Sequence, residues 1–175
     1  MDVDLPAFKD NVRRRVYPIT RALLLGPFAS PERRPALLAA GVTHVLNVGE
    51  APNILTPANG PFQEVAWHPI TDLERIPDEL ALQCLSTLHR MACVPGSRVY
   101  VHCLAGWNRS PTVLWLYLVA CGLEPSAAKE AVTARAWDAI PGHARLVDAQ
   151  LVRLVQQHGL HKLLPHPRPE ALEFV

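Results

Sequence analysis

The chain has 175 residues, 49% of them hydrophobic, with 17 Lys and Arg against 16 Asp and Glu. That length fits a single domain that buries about 70% of the surface exposed by its unfolded chain. The near-balance of charge supplies no overall field that would favour nucleic acid, so no nucleic-acid partner is expected.

In chain order, residues 1–16 read as an N-terminal arm. With Asp2 and Asp4 and no apolar core segment there, no signal peptide is expected. Within the arm, Arg13-Arg14-Arg15 is either a basic patch for an acidic partner or, more plainly, a solvated face. Ser30-Pro31-Glu32 has the pattern of a cap and first turn, leading a helix to Gly41. Val42 to Val48 and Val65 to Ile70 read as strands. From Pro77 to Cys93, Ala81, Cys84, Leu85, Leu88 and Ala92 recur at helical spacing, with Asp78 and Glu79 in the first turn, where the helix dipole favours acids. The apolar run Arg98 to His102 follows the Pro95-Gly96 turn and reads as a buried strand. Helices follow over Pro111–Gly122, Pro125–Trp137 and His143–His158. In the last, Val147, Leu151, Leu154 and Val155 form one stripe. The Pro-rich end, 160–175, reads as a tail whose Leu172, Phe174 and Val175 can pack back on the domain. Strands separated by helices imply an α/β fold, a mainly parallel sheet of four to five strands with helices on both faces. Such sheets hold ligands at the carboxyl ends of their strands.

His102-Cys103-Leu104-Ala105-Gly106-Trp107-Asn108-Arg109-Ser110 lies where a strand hands over to a helix. Unpaired N–H groups and the positive end of the helix dipole converge there and favour a phosphate dianion. Gly106 lets successive amides curl toward one centre. The backbone of Leu104 to Arg109 is the candidate phosphate cradle. Cys103 would lie at its floor, where the same field stabilises a thiolate over a thiol. A thiolate can attack phosphorus and form a phosphocysteine that water later hydrolyses. Arg109 adds a planar, permanently charged fork for two phosphate oxygens. Ser110 can donate to the sulfur and help it leave, and His102 fits a role supporting the loop from beneath. The plain alternative is a structural cysteine packed as a small hydrophobe. No metal or cofactor is called for, since the eight histidines and four cysteines show no metal-ligand spacing.

His-Cys-five residues-Arg-Ser resembles the signature of the cysteine-based protein phosphatases, and the wider chain is similar to their dual-specificity branch. Tyr17-Pro18-Ile19-Thr20 through Leu24-Leu25-Gly26-Pro27, a short helix, and Gly41 to Val48 match that branch's opening strand, helix and strand. The resemblance covers Tyr17 to Gly159 and implies a catalytic domain over 17–159. The family often carries Ser where Asn108 stands. The resemblance also implies a general acid on a loop after a strand, about 30 residues before the nucleophile. Asp72, 31 residues before Cys103 and just past Val65-Ala66-Trp67-His68-Pro69-Ile70, occupies that position. Glu74 is its nearest competitor, at a spacing less like the family's. Ile140-Pro141 falls where the family has a turn near the active site.

The activity implied is hydrolysis of phosphotyrosine, and of phosphoserine or phosphothreonine, on a phosphorylated protein partner. The same chemistry on an inositol phosphate, a nucleotide or an RNA 5′-phosphate is the alternative. An inactive phosphate-reading module and a sulfur-transfer domain are others. The absence of Lys at Leu104 and Trp107 weighs against phosphoinositides. Trp107 either stacks on a substrate ring or covers the pocket wall. Arg135 and Arg145 either edge the pocket or are solvated or ion-paired, and Gln150 is open to ordering water. Cys84, Cys93, Cys103 and Cys121 read as thiols of a reducing, cytoplasmic compartment. A disulfide from Cys103 to Cys84 or Cys121 is the redox alternative. No apolar run reaches the roughly 20 residues of a membrane span.

Overall fold

The computed structural model describes residues 15–163 and 167–175. Most of the N-terminal arm, with Arg13 and Arg14, lies outside the described residues. Its strands are β1 (Tyr17–Pro18), β2 (Leu23–Gly26), β3 (His44–Asn47), β4 (Glu64–Trp67) and β5 (Val99–His102), in the spatial order β1-β2-β5-β3-β4. Only the β1–β2 pair is antiparallel. This is the α/β fold expected of the chain.

Every residue of β2, β3 and β5 is buried, as parallel strands covered on both faces must be. Alternation along them decides which face each side chain serves. Leu23, Leu25, Leu46, Val99 and Val101 enter the larger core, and Leu24, Val45 and Tyr100 enter a smaller one with Leu37, Val42 and Phe62. The smaller side is closed by helix α1 (Arg34–Ala39), which a 3-10 turn, Pro31–Arg33, introduces. The larger side is closed by α2 (Asp78–Cys93), α3 (Arg109–Ala120), α4 (Pro125–Thr133) and α5 (Ala149–Lys162).

Helix α3 is the spine. All twelve of its residues are buried, which is the condition of a helix apolar on every side. It begins at Arg109, two residues earlier than Pro111, so the candidate arginine and Ser110 belong to its first turn. Gly122 follows its end, as expected. Two other helices correct the expected bounds. Helix α4 stops at Thr133 rather than Trp137. Helix α5 starts at Ala149 rather than His143, because the Asp148 side chain accepts the Leu151 N–H (2.8 Å) and caps it there. Helix α5 then runs past Gly159 to Lys162. An alanine Cβ at Gly159 would stand 1.9 Å from the Ala120 carbonyl oxygen, so glycine is what lets α5 cross the end of α3.

The sheet register places the site. Gly26 and Asn47 both lie abreast of His102, and Asn47 is abreast of Trp67. The next residues, Pro27, Val48, His68 and Cys103, therefore leave the sheet together at one edge. No helix among the described residues is long and apolar enough to cross a membrane.

Candidate active site

The loop between β5 and α3 is closed from below. Gly106 has φ +77°, and a Cβ there would stand 2.7 Å from the Gly26 carbonyl carbon, so the loop lies directly on the end of β2. The Phe28 N–H donates to the Leu104 carbonyl (2.9 Å) and the Ile140 N–H to that of Trp107 (2.7 Å), pinning both flanks. Among the described residues, no protein acceptor takes the N–H of Leu104, Ala105, Gly106, Trp107 or Asn108. Five amides without a protein acceptor next to a helix N-terminus are a candidate cradle for an anion.

Cys103 is 2% exposed, at the floor of this loop. Ser110 Oγ donates to its Sγ at 3.3 Å. His102 is fully buried, stacked on Tyr100 and meeting Phe28 edge-on, with Nδ1 3.2 Å from the Cys103 carbonyl oxygen. Burial pushes its imidazole down to about 4, so the ring is neutral near pH 7 and braces the loop without adding charge. Tyr100 in turn donates to the Pro27 carbonyl (2.5 Å), and Arg33 reaches the Phe28 carbonyl.

The Arg109 side chain is 7% exposed. Its Nη1 donates to the Ile70 carbonyl (3.2 Å) and lies 3.5 Å from Glu50 Oε1. Its Nε, buried and without a hydrogen-bond partner, stands 3.8 Å from Asp72 Oδ1. A buried guanidinium nitrogen left unpaired costs free energy until an acceptor arrives, which here fits a phosphate oxygen.

Asp72 is half-buried, beside the loop. Its N–H donates to Glu50 Oε1 (3.2 Å), and its Oδ1 accepts from the Leu73 N–H (3.0 Å) and from Asn108 Nδ2 (3.4 Å). Leu73 sits at φ +58°, in the left-handed region that non-glycine residues rarely adopt, and its carbonyl accepts from Arg145 Nε (3.1 Å). Arg145 therefore edges the site. Glu74 is exposed and makes no comparable contact, and Asp78 is bound to Arg75 (2.9 Å).

Arg135 is turned away, with Nε donating to the Val175 carbonyl (2.7 Å) and its guanidinium over Phe174. Arg15 lies over Trp137, 5.3 Å from the ring centre. Trp107 (39% exposed) and Leu104 (65%) form an apolar rim with Ile140 (47%). Gln150 is exposed. Cys84, Cys93, Cys103 and Cys121 are free, and burial pushes the Cys84 and Cys121 thiols up to about 12. Among the described residues no group of three or more His, Cys, Asp and Glu is gathered as a metal site.

Sequence reasoning missed Glu50, which joins Arg109 to the Asp72 backbone. Its one signal was position, just past Val48 and Gly49 at the carboxyl end of β3, where such sheets hold ligands.

Fold and loop together define a dual-specificity branch of the cysteine-based phosphatases, and the chain is a member of it. A family model described as "Swiss Army Knife protein, DSP-PTPase phosphatase domain" matches residues 28–153, and the chain belongs to that family. Dual specificity protein phosphatase 1B of Arabidopsis thaliana is 32% identical over 126 residues, covering 70% of this chain and 72% of that protein. Among solved structures, a mouse putative dual specificity phosphatase complexed with zinc tungstate superposes with TM-score 0.69 at 22% identity, covering 87% of this chain and 93% of that one. PTPMT1 in complex with PI(5)P gives 0.66 at 18%, covering 81% and 95%. The human tyrosine phosphatase-like serine/threonine/tyrosine-interacting protein gives 0.64 at 21%, covering 85% and 97%. At these identities the structures bear on the fold alone.

Proposed function

We propose that this protein is a cysteine-dependent phosphomonoesterase that hydrolyses phosphotyrosine, and phosphoserine or phosphothreonine, on proteins through a phosphocysteine intermediate. The observation that carries the reading is that one loop holds the buried Cys103 sulfur, five unpaired amides and, in the helix turn that follows, Arg109 with its Nε unpaired, 3.8 Å from the Asp72 carboxyl. The Cys103 thiolate attacks phosphorus in line and the bond to the leaving oxygen breaks. Asp72 gives that oxygen its proton. A water then attacks the phosphocysteine and passes a proton to Asp72. Phosphate leaves, and the sulfur departs as a thiolate stabilised by the Ser110 hydroxyl. The amides and Arg109 hold the equatorial oxygens throughout.

A protein substrate is favoured over a polyphosphorylated small molecule by the rim. Leu104, Trp107 and Ile140 are apolar, and Glu50 and Asp72 are the charges beside Arg109. A second phosphate would meet those carboxylates, and the cation at the edge, Arg145, already donates to the Leu73 carbonyl. Four free thiols fit a reducing compartment, the cytoplasm.

The test is release of phosphate from an aryl phosphate and from phosphotyrosine, phosphoserine and phosphothreonine peptides. Cys103→Ser is expected to abolish turnover. If the variant retains the parent rate, Cys103 is not the nucleophile. If an inositol phosphate or nucleotide outruns every phosphopeptide, the substrate class is wrong and the chemistry stands.

A further inference from the structure

Asn108 stands at the loop position where serine is common in the family, and its side chain is not spent on the loop. Its Nδ2 faces Asp72 Oδ1 at 3.4 Å. The amide NH2 is the donor of this contact and the carboxyl oxygen the acceptor. We propose that Asn108 is a positioning residue for the general acid, tying the Asp72 carboxyl to the phosphate loop. The inference rests on the phosphatase reading and deepens it.

The surroundings of Asp72 favour this role over an incidental contact. The backbone of the acid-bearing turn is held at two points by other side chains: Glu50 takes the Asp72 N–H (3.2 Å), and Arg145 holds the Leu73 carbonyl (3.1 Å). Leu73, at φ +58°, is in a conformation that persists only where neighbours fix it. Those tethers place the backbone, but neither reaches the carboxyl group. The carboxyl oxygen Oδ1 is oriented by the adjacent Leu73 N–H, by Asn108 and by the field of Arg109 Nε at 3.8 Å. Of these, Arg109 must turn its donors to a bound phosphate. Asn108 then remains the one side-chain donor shown on Oδ1 that belongs to the phosphate loop itself. Serine is a bond shorter and could not span the gap from the same backbone position. The asparagine therefore gives this chain a direct link between the group that protonates the leaving oxygen and the loop that holds its phosphorus.

A positioning role predicts a leaving-group signature. Protonation matters for a poor leaving group, phenolate, and little for a good one, 2,4-dinitrophenolate. In Asn108→Ala the ratio of kcat/KM for phenyl phosphate to that for 2,4-dinitrophenyl phosphate should fall about tenfold. Asn108→Leu, which keeps the size and removes the donor, should lower the ratio at least as far. In the Asp72→Asn background neither change should move the ratio further, because the two residues act as one unit. The proposal is overturned if both substrates lose rate equally in both variants, or if the fall in ratio recurs in full without the Asp72 carboxyl. The phosphatase reading fails separately and earlier, if wild-type protein does not turn over 2,4-dinitrophenyl phosphate or does so without Cys103. That outcome overturns the proposal with it.

Discussion

Asp72 and Glu50 are both carboxylates close to Arg109, yet their surroundings give them different work. Glu50 is 60% exposed on its side chain, accepts a backbone N–H from the neighbouring turn and faces the outer nitrogen of the guanidinium. Asp72 carries its carboxyl toward the inner nitrogen and the loop asparagine. Of the two, Asp72 is the one that also contacts the loop, through Asn108. In Asp72→Asn we expect kcat for phenyl phosphate to fall about 100-fold and that for 2,4-dinitrophenyl phosphate by less than about fivefold. Steady-state rates on the two esters decide it, and equal losses would remove Asp72 from the acid role. The placement of Cys103, Arg109 and Ser110 between a buried strand and a helix was legible in the sequence because it follows from local pattern along one segment. Glu50 and the Asn108–Asp72 contact were not, since each depends on which strands neighbour one another.

Helix boundaries show the same division at the scale of elements. The apolar stripe of Leu151 and Val155 identified α5, and both residues are fully buried. Its start was hidden because Val147 continues the stripe without belonging to the helix: Val147 packs against the core from the turn that precedes Asp148. Periodicity records which residues face the core and not which backbone conformation takes them there. Gly159 is the sharper case, since the helix was expected to end one residue before it and in the structure it is a contact inside α5. An alanine Cβ would come within 1.9 Å of the Ala120 oxygen and 2.6 Å of its carbon, both backbone atoms of the central helix. No rotamer change relieves that overlap, so the helices must separate. Gly159→Ala is expected to destabilise the fold by about 2 kcal/mol or more, lowering Tm by at least about 5 °C. Thermal unfolding followed by circular dichroism measures it, and a variant melting with the parent would show that α5 does not rest on α3 there.

For the molecule as a whole, the sheet edge that builds the site is also the place where folding meets pH. His102 is held neutral by burial, its imidazole at about 4, and burial pushes His44, His68 and His158 down as well. A histidine with ordinary affinity for protons in the unfolded chain and depressed affinity in the fold takes up its proton preferentially on unfolding. Stability from this source is complete above about pH 6.5 and is lost as pH falls toward 4, with no further loss once both states are protonated. For His102 alone the loss is about 2 kcal/mol at pH 5 and about 3 kcal/mol at its limit. The carboxylates held down by ion pairs, Glu64 through Arg90 and Asp148 through Arg75, add their own loss at still lower pH, as they become protonated. The interval from pH 7 to pH 5 therefore isolates the histidines. Urea unfolding at those two values should show a fall of at least about 2 kcal/mol, and His102→Asn, which cannot titrate, should remove roughly that share of the slope. If the variant keeps the full pH dependence of the parent, His102 is not the group that couples the β5 end of the site to the stability of the sheet.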